Sequence, residues 1–307
     1  MSASGPSMRI IVLLAAYNEE RYIAACLDHY VSHGVVAYLI DNGSTDGTAE
    51  IAKSYLGRGL LAVEEMPRRG VFELQRILER KEQLAAELDA DWFMHADCDE
   101  IRLPPHSCVT LAQAFAEVES QGYNAVNFME FTFVPTVENP CHEHARFQET
   151  MLWYYPYLRK DPQRLNAWKR QPGRVELAWS AGHRVRFPGL RMYPERFPMR
   201  HYLYLSQSHA LEKYGRRRHD PRALALGWHG WRDRLPSEVA LLPSQAELRP
   251  YFGDDWLDPV HPRSQHFVEE AFRMRLPARL WRKGELWLGR LRWRLRRCLD
   301  RLISEAP

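Results

Sequence analysis

Three acidic residues follow directly on a short apolar run. Residues 92–94 (Trp-Phe-Met) read as a buried strand, and Asp97, Asp99 and Glu100 come at its end. Carboxylates at the end of a buried strand need a cation nearby, because an ionised group is costly to bury alone. The spacing Asp-x-Asp offers oxygen ligands to a hard divalent ion such as Mg²⁺ or Mn²⁺. The plain alternative is a solvated acidic turn, since the tripeptide alone is common.

Other polar residues follow apolar runs upstream. These runs are aliphatic and β-branched, as is typical of strands covered on both faces of a parallel sheet, and they span residues 10–16, 35–40 and 60–64. Helical periodicity separates the runs, which indicates an open α/β sheet. Ligands of such sheets bind beyond the carboxyl ends of the strands. Tyr17, Asp41 and Asp97 all lie at predicted strand ends, so we expect them to share one site.

The same periodicity predicts the neighbouring elements. Asn18 is a candidate N-cap for a first helix, and further helices are predicted at residues 48–55, 68–88 and 107–121. Strands are predicted at residues 91–96 and 124–134. Residues 43–47 (Gly-Ser-Thr-Asp-Gly) match neither Gly-x-Gly-x-x-Gly nor a Walker sequence, so we interpret them as turn and cap chemistry that positions Asp41.

The composition is that of a folded protein with unevenly distributed charge. The chain has 307 residues, a hydrophobic fraction of 45% and a net charge of +3. From Arg273 onward there are 11 Lys and Arg against 3 acids, a balance of +8, whereas the body has 31 against 36, a balance of −5. The five scattered cysteines form no Cys-x-x-Cys pair, which argues for a reducing compartment and against structural zinc or a disulfide framework.

The two chain ends bear on location. Residues 1–9 lack a signal-peptide layout, and no run approaches the roughly 18 apolar residues of a membrane span. Residues 273–307 combine leucines at helical spacing with tryptophans and arginines, which predicts a basic amphipathic helix suited to an anionic membrane surface. A helix packed on the body through its leucines is the open alternative. We therefore expect a cytoplasmic protein, either free or peripheral on the inner membrane face, without a nucleic-acid partner.

Three motifs carry a family resemblance. Ala15-Ala16-Tyr17-Asn18-Glu19-Glu20, then Ile40-Asp41-Asn42-Gly43-Ser44-Thr45-Asp46-Gly47-Thr48, then Asp97-Cys98-Asp99, in this order and spacing, resemble the family 2 glycosyltransferases. Each motif is weak alone, whereas the ordered set is specific. The resemblance covers roughly residues 8–135. It implies a GT-A fold with a mixed, mainly parallel sheet flanked by helices, a nucleotide-diphosphate sugar as donor, Mn²⁺ or Mg²⁺ as cofactor, and inversion at the anomeric carbon.

The resemblance also implies roles for single residues. Tyr17 would stack on the nucleotide base near Glu19, and Asp41 would accept a hydrogen bond from the base or the ribose. Asp97 and Asp99 would hold the metal that bridges the diphosphate, where it stabilises the leaving nucleoside diphosphate. For Tyr17, a helix-entry residue packed on the core is the plain alternative.

Cationic residues in two regions are candidates for binding phosphate. Arg68 and Arg76 could reach the diphosphate, although a solvated helix start is the preferred explanation for each of them taken singly. The sequence from Arg200-His201-Tyr202 to Lys213 is similar to a His-Tyr…Ser…Lys segment of a bacterial subset of these transferases. That similarity implies His201 as a further metal ligand and Arg200 or Lys213 on phosphate oxygens. An interior histidine bonded to backbone is the alternative for His201.

The general base is the main departure from the family pattern. Many members carry an acidic pair after the fifth strand, and this chain has no clear equivalent. Inverting transfer needs a base for the acceptor hydroxyl. Glu130 lies among apolar residues, where burial would raise the pKa of its carboxyl to suit that task. His183 and Glu149 are its rivals.

These observations define three regions and one preferred function. We expect a nucleotide-sugar-binding half at residues 8–135, an irregular acceptor-side half of the same catalytic domain at residues 136–272, and the basic helix at residues 273–307. The preferred function is transfer of a sugar to a glycan or lipid-linked acceptor in cell-surface polysaccharide or glycoconjugate synthesis. The alternatives are a sugar nucleotidyltransferase and an inactive membrane-surface scaffold with the same fold.

Overall fold

The structure, a computed structural model, describes residues 8–215, 218–226, 228 and 242–270. The amphipathic helix predicted for residues 273–307 lies outside the described residues.

The first half of the chain alternates strands and helices as predicted. Its elements are β1 (Ile10–Ala16), α1 (Glu20–Ser32), β2 (Val35–Asp41), α2 (Thr48–Lys53), β3 (Leu60–Glu65), α3 (Leu74–Glu87), β4 (Trp92–His95), β5 (Glu100–Arg102), α4 (Leu111–Ser120) and β6 (Ala125–Phe133). Strands β3, β2, β1 and β4 are parallel neighbours in that order. Strand β1 is buried along nearly its whole length, which is why it reads as one continuous apolar run.

Helix α3 differs from its prediction in a way that matters for the site. It begins at Leu74 rather than at Arg68. Gly70 has a φ of 82°, a left-handed conformation that a continuing helix cannot contain. Phe72 instead forms a parallel bridge with His219. The segment before Leu74 is therefore a loop, and it brings Arg68 to the carboxyl ends of β1 and β2.

The second half of the chain has irregular connections, but it also extends the same sheet. Its elements are α5 (Phe147–Thr150), β7 (Trp153–Tyr157), β8 (Arg164–Lys169), β9 (Phe197–Tyr202), α6 (Gln207–Gly215), α7 (Pro221–Ala225) and β10 (Arg249–Pro250). The strand order is β10-β7-β6-β8-β4-β1-β2-β3, and β9 pairs with both β6 and β5. Since β8 runs antiparallel to β4 and β6, the sheet is mixed and mainly parallel in its core, as expected.

Hydrophobic layers cover both faces of this sheet. On one face, Val12 and Leu14 of β1 pack in a cluster with residues of α1 and α4. On the other face, Ile11 and Leu13 pack with Ile77 of α3. This alternation follows the two-residue period of a strand. Within the described part of the chain, no helix has the length and apolarity that crossing a bilayer requires.

Candidate active site

A cleft of about 400 Å³ lies beyond the carboxyl ends of β1, β2 and β4, where an open α/β sheet places its ligands. Tyr17, Asn42 and Phe72 line one end of it. Tyr157 and Gln163 from the second half of the chain line the other end. The floor between them consists of ionisable side chains, which are Lys81, His95, Asp97, Asp99, Glu100, Arg164, His201 and Lys213.

The Tyr17 end of the cleft is covered by an arginine. The guanidinium carbon of Arg68 lies 3.6 Å from the centroid of the Tyr17 ring, and Arg68 Nε donates to Asn42 Oδ1 at 3.3 Å. Tyr17 and Arg68, each predicted separately as a nucleotide-site residue, are therefore brought together. Asp41 lies behind them: it is buried, and both its carboxylate oxygens accept from Ser44 N at 3.3 Å. Among the described residues, Asn42 lines the cleft and Asp41 does not.

Turn chemistry holds the loop that carries Tyr17. Asn18 adopts a left-handed φ of 57°, and its Oδ1 accepts from Thr45 N at 2.8 Å. Glu19 N donates to Thr48 Oγ1 at 2.8 Å. Asn18 N donates to Ser44 Oγ at 3.1 Å. The turn that follows β2 thus fixes the loop that follows β1, as well as Asp41, and it turns Glu19 into the cleft.

The two aspartates have different surroundings. Asp97 is exposed to the cleft, but the dense protein around its carboxyl and the nearby charge of Glu100 raise its pKa. Asp99 is buried, and its Oδ2 accepts from Lys213 Nζ at 2.7 Å and lies 3.4 Å from His201 Nε2. Burial alone would raise the pKa of Asp99, but Lys213 and His201 outweigh it and hold the pKa well below its usual range.

His201 is enclosed by carboxylates rather than available to a metal. Its Nδ1 lies 2.7 Å from Glu130 Oε1, and its Nε2 faces Asp99. Burial disfavours the charged ring, yet the two carboxylates raise the pKa of His201 to about 9. A protonated imidazole donates from both nitrogens and has no lone pair for a metal. In this arrangement the expected role of His201 as a metal ligand does not fit.

Glu130 does not have the raised pKa expected of a base. Arg164 donates to its Oε2 from Nη2 at 2.8 Å and from Nε at 3.0 Å, while Thr132 Oγ1 donates to its Oε1 at 3.1 Å. Burial favours the neutral acid, but Arg164 and His201 hold the pKa of Glu130 well below its usual range. The expectation of a raised pKa was therefore wrong, because this buried carboxylate is paired with two cations, Arg164 and His201.

The rival bases differ in position. His183 is exposed and lines the cleft, and Arg164 Nη1 lies 3.2 Å from its Nδ1. Since an arginine can only donate, His183 Nδ1 acts as the acceptor in this contact. Glu149 lies on α5, where it is exposed and paired with Arg146. It is not among the described residues that line the cleft.

Two predicted phosphate-binding arginines point elsewhere. Arg200 precedes His201 on β9, and neighbouring residues of a strand face opposite sides of the sheet. Its guanidinium contacts Asp254 at 3.4 Å and Tyr251 Oη at 3.4 Å, away from the cleft. Arg76 is paired with Glu73 at 3.3 Å on α3. The part of the chain that the structure describes places neither arginine in the cleft lining, so the phosphate role expected for each does not fit this arrangement.

Lys81 and Arg164 were not anticipated as site residues. Lys81 is fully buried, and its Nζ lies 2.8 Å from His95 Nδ1 and 3.3 Å from Ala96 O. Burial lowers the pKa of Lys81 to about 8, although the charge of Asp97 opposes the shift. The sequence contained a signal, because Lys81 falls on the apolar face of α3. Arg164, which also pairs with Glu100 at 3.1 Å, begins a strand that the sequence did not predict.

The divalent ion implied by the resemblance fits only part of the predicted ligand set. No group of three or more His, Cys, Asp or Glu side chains is arranged to hold a metal among the described residues. Asp99 and His201 are engaged with each other and with Lys213 and Glu130. Asp97 lines the cleft and is the carboxylate of the predicted set that would hold the ion. One carboxylate completed by substrate phosphates and water is an arrangement that Mg²⁺ accepts.

Comparisons with known proteins point to one family. The sequence model of Glycosyl transferase family 2 matches residues 11–72. A curated relative is the lipopolysaccharide core biosynthesis glycosyltransferase LpsC of Rhizobium meliloti (strain 1021), which is 29% identical over 96 residues, or 31% of this chain and 33% of the relative. The chain thus spans about a third of the length of this curated relative.

Solved structures show weaker similarity. S. aureus TarS residues 1–349 in complex with UDP is 16% identical, with a TM-score of 0.29 over 42% of this chain and 36% of that one. The structure of 4-diphosphocytidyl-2C-methyl-D-erythritol synthase is 13% identical, with a TM-score of 0.27 over 54% of this chain and 75% of that one. The match over residues 11–72 includes the Tyr17 and Asp41 motifs, so this part of the chain is similar to the family 2 glycosyltransferases.

Proposed function

We propose that this protein transfers a sugar from a nucleotide-diphosphate sugar to a hydroxyl group of a glycan or glycolipid acceptor, with inversion. The observation that carries the proposal is the cleft itself, which is lined by Tyr17 and by the acidic floor at Asp97 beyond the ends of three parallel strands, with Arg68 against the Tyr17 ring. The family match over residues 11–72 supports the same class of reaction. So does LpsC, a relative named as a glycosyltransferase of lipopolysaccharide core biosynthesis, and cell-surface glycan synthesis is the process we propose.

The donor base would bind at Tyr17. Arg68 now covers that ring at 3.6 Å, so a base that stacks on Tyr17 must displace the guanidinium. Once displaced, Arg68 remains close enough to Asn42 and the strand ends to contact a diphosphate. Arg68 would thus exchange a ring contact for a phosphate contact when the donor binds, while Glu19 and Asp41 fix the surrounding turns.

The diphosphate would lie over the cleft floor. Lys213 and Arg164 supply fixed positive charge there, and they are held in place by Asp99 and Glu130. When bound, Mn²⁺ or Mg²⁺ at Asp97 would supply further positive charge for the leaving nucleoside diphosphate. The cations of the chain itself are preorganised by buried carboxylates, so they need no rearrangement as charge develops.

The acceptor would enter from the end formed by residues 136–272. Tyr157 and Gln163 line that end, and His183 is exposed between it and the floor. We propose His183 as the base that takes the proton of the acceptor hydroxyl on Nδ1, where the hydroxyl would replace the contact with Arg164 Nη1. Its exposure to the cleft favours it over Glu130, whose carboxylate is enclosed by Arg164 and His201. Glu130 would then orient these two cations.

We also propose that the protein works on the cytoplasmic face of a membrane, held there by residues 273–307. The excess of arginine and the interspersed tryptophans support this proposal. Co-sedimentation of the full chain with anionic liposomes at low salt tests it, and the same chain truncated after residue 272 is the control. Equal sedimentation of both proteins would contradict it.

A nucleotide screen tests the proposed activity. We expect UDP, GDP or dTDP to raise the melting temperature, because a ligand that binds the native state stabilises it. The matching nucleotide sugar should then be consumed in the presence of Mn²⁺ and a glycan acceptor. Preferential binding of a nucleoside triphosphate, with release of pyrophosphate from a sugar phosphate, would indicate a nucleotidyltransferase instead. If no nucleotide binds, the scaffold reading is favoured and the proposal fails.

A further inference from the structure

Lys213 is the most firmly held cation at the cleft floor. It lies on α6 with a side chain that is only 8% exposed. Its Nζ is 2.7 Å from Asp99 Oδ2, 3.6 Å from Glu19 Oε2 and 4.8 Å from the centroid of the Tyr22 ring. These partners come from two separate segments of the chain, the start of α1 and the link between β4 and β5. The ammonium group is therefore held by contacts within the fold, unlike that of an exposed surface lysine.

We infer that Lys213 is a built-in cation at Asp99 and keeps a divalent ion away from this carboxylate, so that the ion binds at Asp97 together with the donor's diphosphate. An ion placed at Asp99 in the free protein would lie beside an ammonium group, and like charges at that range repel strongly in a low-dielectric site. His201 adds a second obstacle, because its Nε2 faces the same Asp99 oxygen at 3.4 Å.

The neighbouring acids are occupied in the same manner. Glu100 pairs with Arg102 at 2.8 Å and with Arg164 at 3.1 Å, and Glu130 pairs with Arg164 at 2.8 Å. Among the described residues, Asp97 is the acid of this floor that has no ion pair within 4 Å. A single carboxylate binds Mg²⁺ or Mn²⁺ weakly unless phosphate oxygens complete the shell.

The consequence is that the ion and the diphosphate bind in a coupled manner in the proposed reaction, on which this inference rests. The ion and the diphosphate bind together, since each supplies the charge that the other lacks in this site. Binding of the two is therefore coupled, and the coupling is reciprocal: the factor by which the nucleotide tightens Mn²⁺ binding equals the factor by which Mn²⁺ tightens nucleotide binding.

The first test uses the wild-type protein alone. Mn²⁺ binding is measured from the electron paramagnetic resonance signal of free Mn²⁺, without nucleotide and with saturating UDP, GDP or dTDP, whichever the screen selects. We expect the nucleotide to tighten Mn²⁺ binding by about tenfold or more. Equally tight binding of Mn²⁺ with and without nucleotide would overturn the inference.

The second test removes the ammonium group. Lys213→Met keeps the length of the side chain but frees Asp99 to join Asp97. We expect this variant to bind Mn²⁺ without nucleotide about tenfold more tightly than wild type, because affinity rises with the number of charged ligands. Adding Asp99→Asn to the variant should abolish the gain. Lys53→Met, at an exposed lysine of α2, is the matched control and should leave Mn²⁺ binding unchanged.

The two proposals fail separately. The Lys213→Met measurement needs no nucleotide, so it stands even if no nucleoside diphosphate binds and the proposed function is wrong. Conversely, a protein that binds and uses a nucleotide sugar but shows the same Mn²⁺ affinity in wild type and Lys213→Met refutes the role of Lys213 alone. If Lys213→Met does not fold, equally tight Mn²⁺ binding by the wild-type protein with and without nucleotide would still overturn the inference.

Discussion

The central carbon of the Arg68 guanidinium lies 3.6 Å from the centroid of the Tyr17 ring, which is the ring proposed to bind the donor base. A cation over an aromatic face contributes about 0.5–2 kcal/mol, depending on exposure. The base must therefore compete with Arg68 for the same ring.

This competition predicts opposite effects on two ligands. Removing the guanidinium in Arg68→Ala should leave binding of the free nucleoside unchanged or slightly tighter, because the ring is then uncovered. Binding of the nucleoside diphosphate should weaken by about tenfold, equivalent to about 1.4 kcal/mol, because a charge-assisted phosphate contact is lost. Calorimetric titration measures both. Tyr17→Ala removes the stacking surface and should weaken the binding of both ligands. If Arg68→Ala also weakened the binding of both ligands to the same extent, Arg68 would not exchange its ring contact for a phosphate contact.

Glu130 allows a test of how much the buried ion network stabilises the fold. In Glu130→Gln the positive charges of Arg164 and His201 lose a fully buried partner. Breaking a buried pair from one side costs about 3–5 kcal/mol. Urea denaturation should show that loss in the free energy of unfolding. The control is Glu87→Gln, which removes the exposed partner of Arg80 and should cost about 0–1 kcal/mol. Equal effects of the two substitutions would contradict the structural role of Glu130.

His201 makes stability depend on alkaline pH. Its pKa is raised to about 9 in the folded protein, against about 6.5 for an unfolded histidine. A raised pKa means that this stabilisation is fully present below pH 6.5 and is lost as the pH rises through 9. The loss should amount to about 3 kcal/mol. Denaturation of wild type and His201→Gln between pH 6 and pH 9.5 measures it, and wild type should converge on the variant. A constant difference across this range would contradict the assignment.

The titration of Lys81 changes the stability with pH in the opposite direction to that of His201. Its pKa is lowered to about 8, below the unfolded value of about 10.4, so its burial destabilises the fold below pH 8 and the penalty disappears as the pH rises toward 10. Lys81→Met should therefore stabilise the protein at pH 7, by up to about 3 kcal/mol. If the ammonium group is kept for its charge beneath Asp97, the same variant should bind the nucleoside diphosphate less tightly. A variant that is less stable than wild type at pH 7 would show that Lys81 is structural.

The parts of this site that could be predicted are those that depend on neighbouring residues in the chain. A strand buried on both faces must be apolar throughout, so β1 and β2 were recognisable and their ends, Tyr17 and Asp41, could be located. The contact between Glu130 and His201, which are 71 positions apart in the sequence, depends instead on the pairing of β6 with β9. Such a pairing leaves no local pattern, so the pKa of Glu130 was assigned the wrong direction.

The start of α3 shows a second limit. Periodicity alone extended the helix back to Arg68, and only the positive φ of Gly70 and the bridge from Phe72 to His219 end it at Leu74. Arg68 would have faced solvent on a longer helix. In the loop it reaches Tyr17. A single backbone conformation therefore decides whether an arginine belongs to the site.

The two aspartates give the last prediction, because the structure separates their roles. Asp99→Asn removes the buried carboxylate that Lys213 and His201 share, so the free energy of unfolding should fall by about 3 kcal/mol. Asp97→Asn removes a carboxylate that is exposed to the cleft. Its pKa is raised by the dense protein around the carboxyl and by Glu100, so stability should stay the same or increase. The ligand effects should be reversed. Asp97→Asn should abolish the additional thermal stabilisation that Mn²⁺ gives to the nucleotide complex, and chelation by EDTA should reproduce that loss in wild type. If Asp99→Asn instead abolished the Mn²⁺ effect without lowering stability, Asp99 would be the metal ligand and its contact with Lys213 incidental.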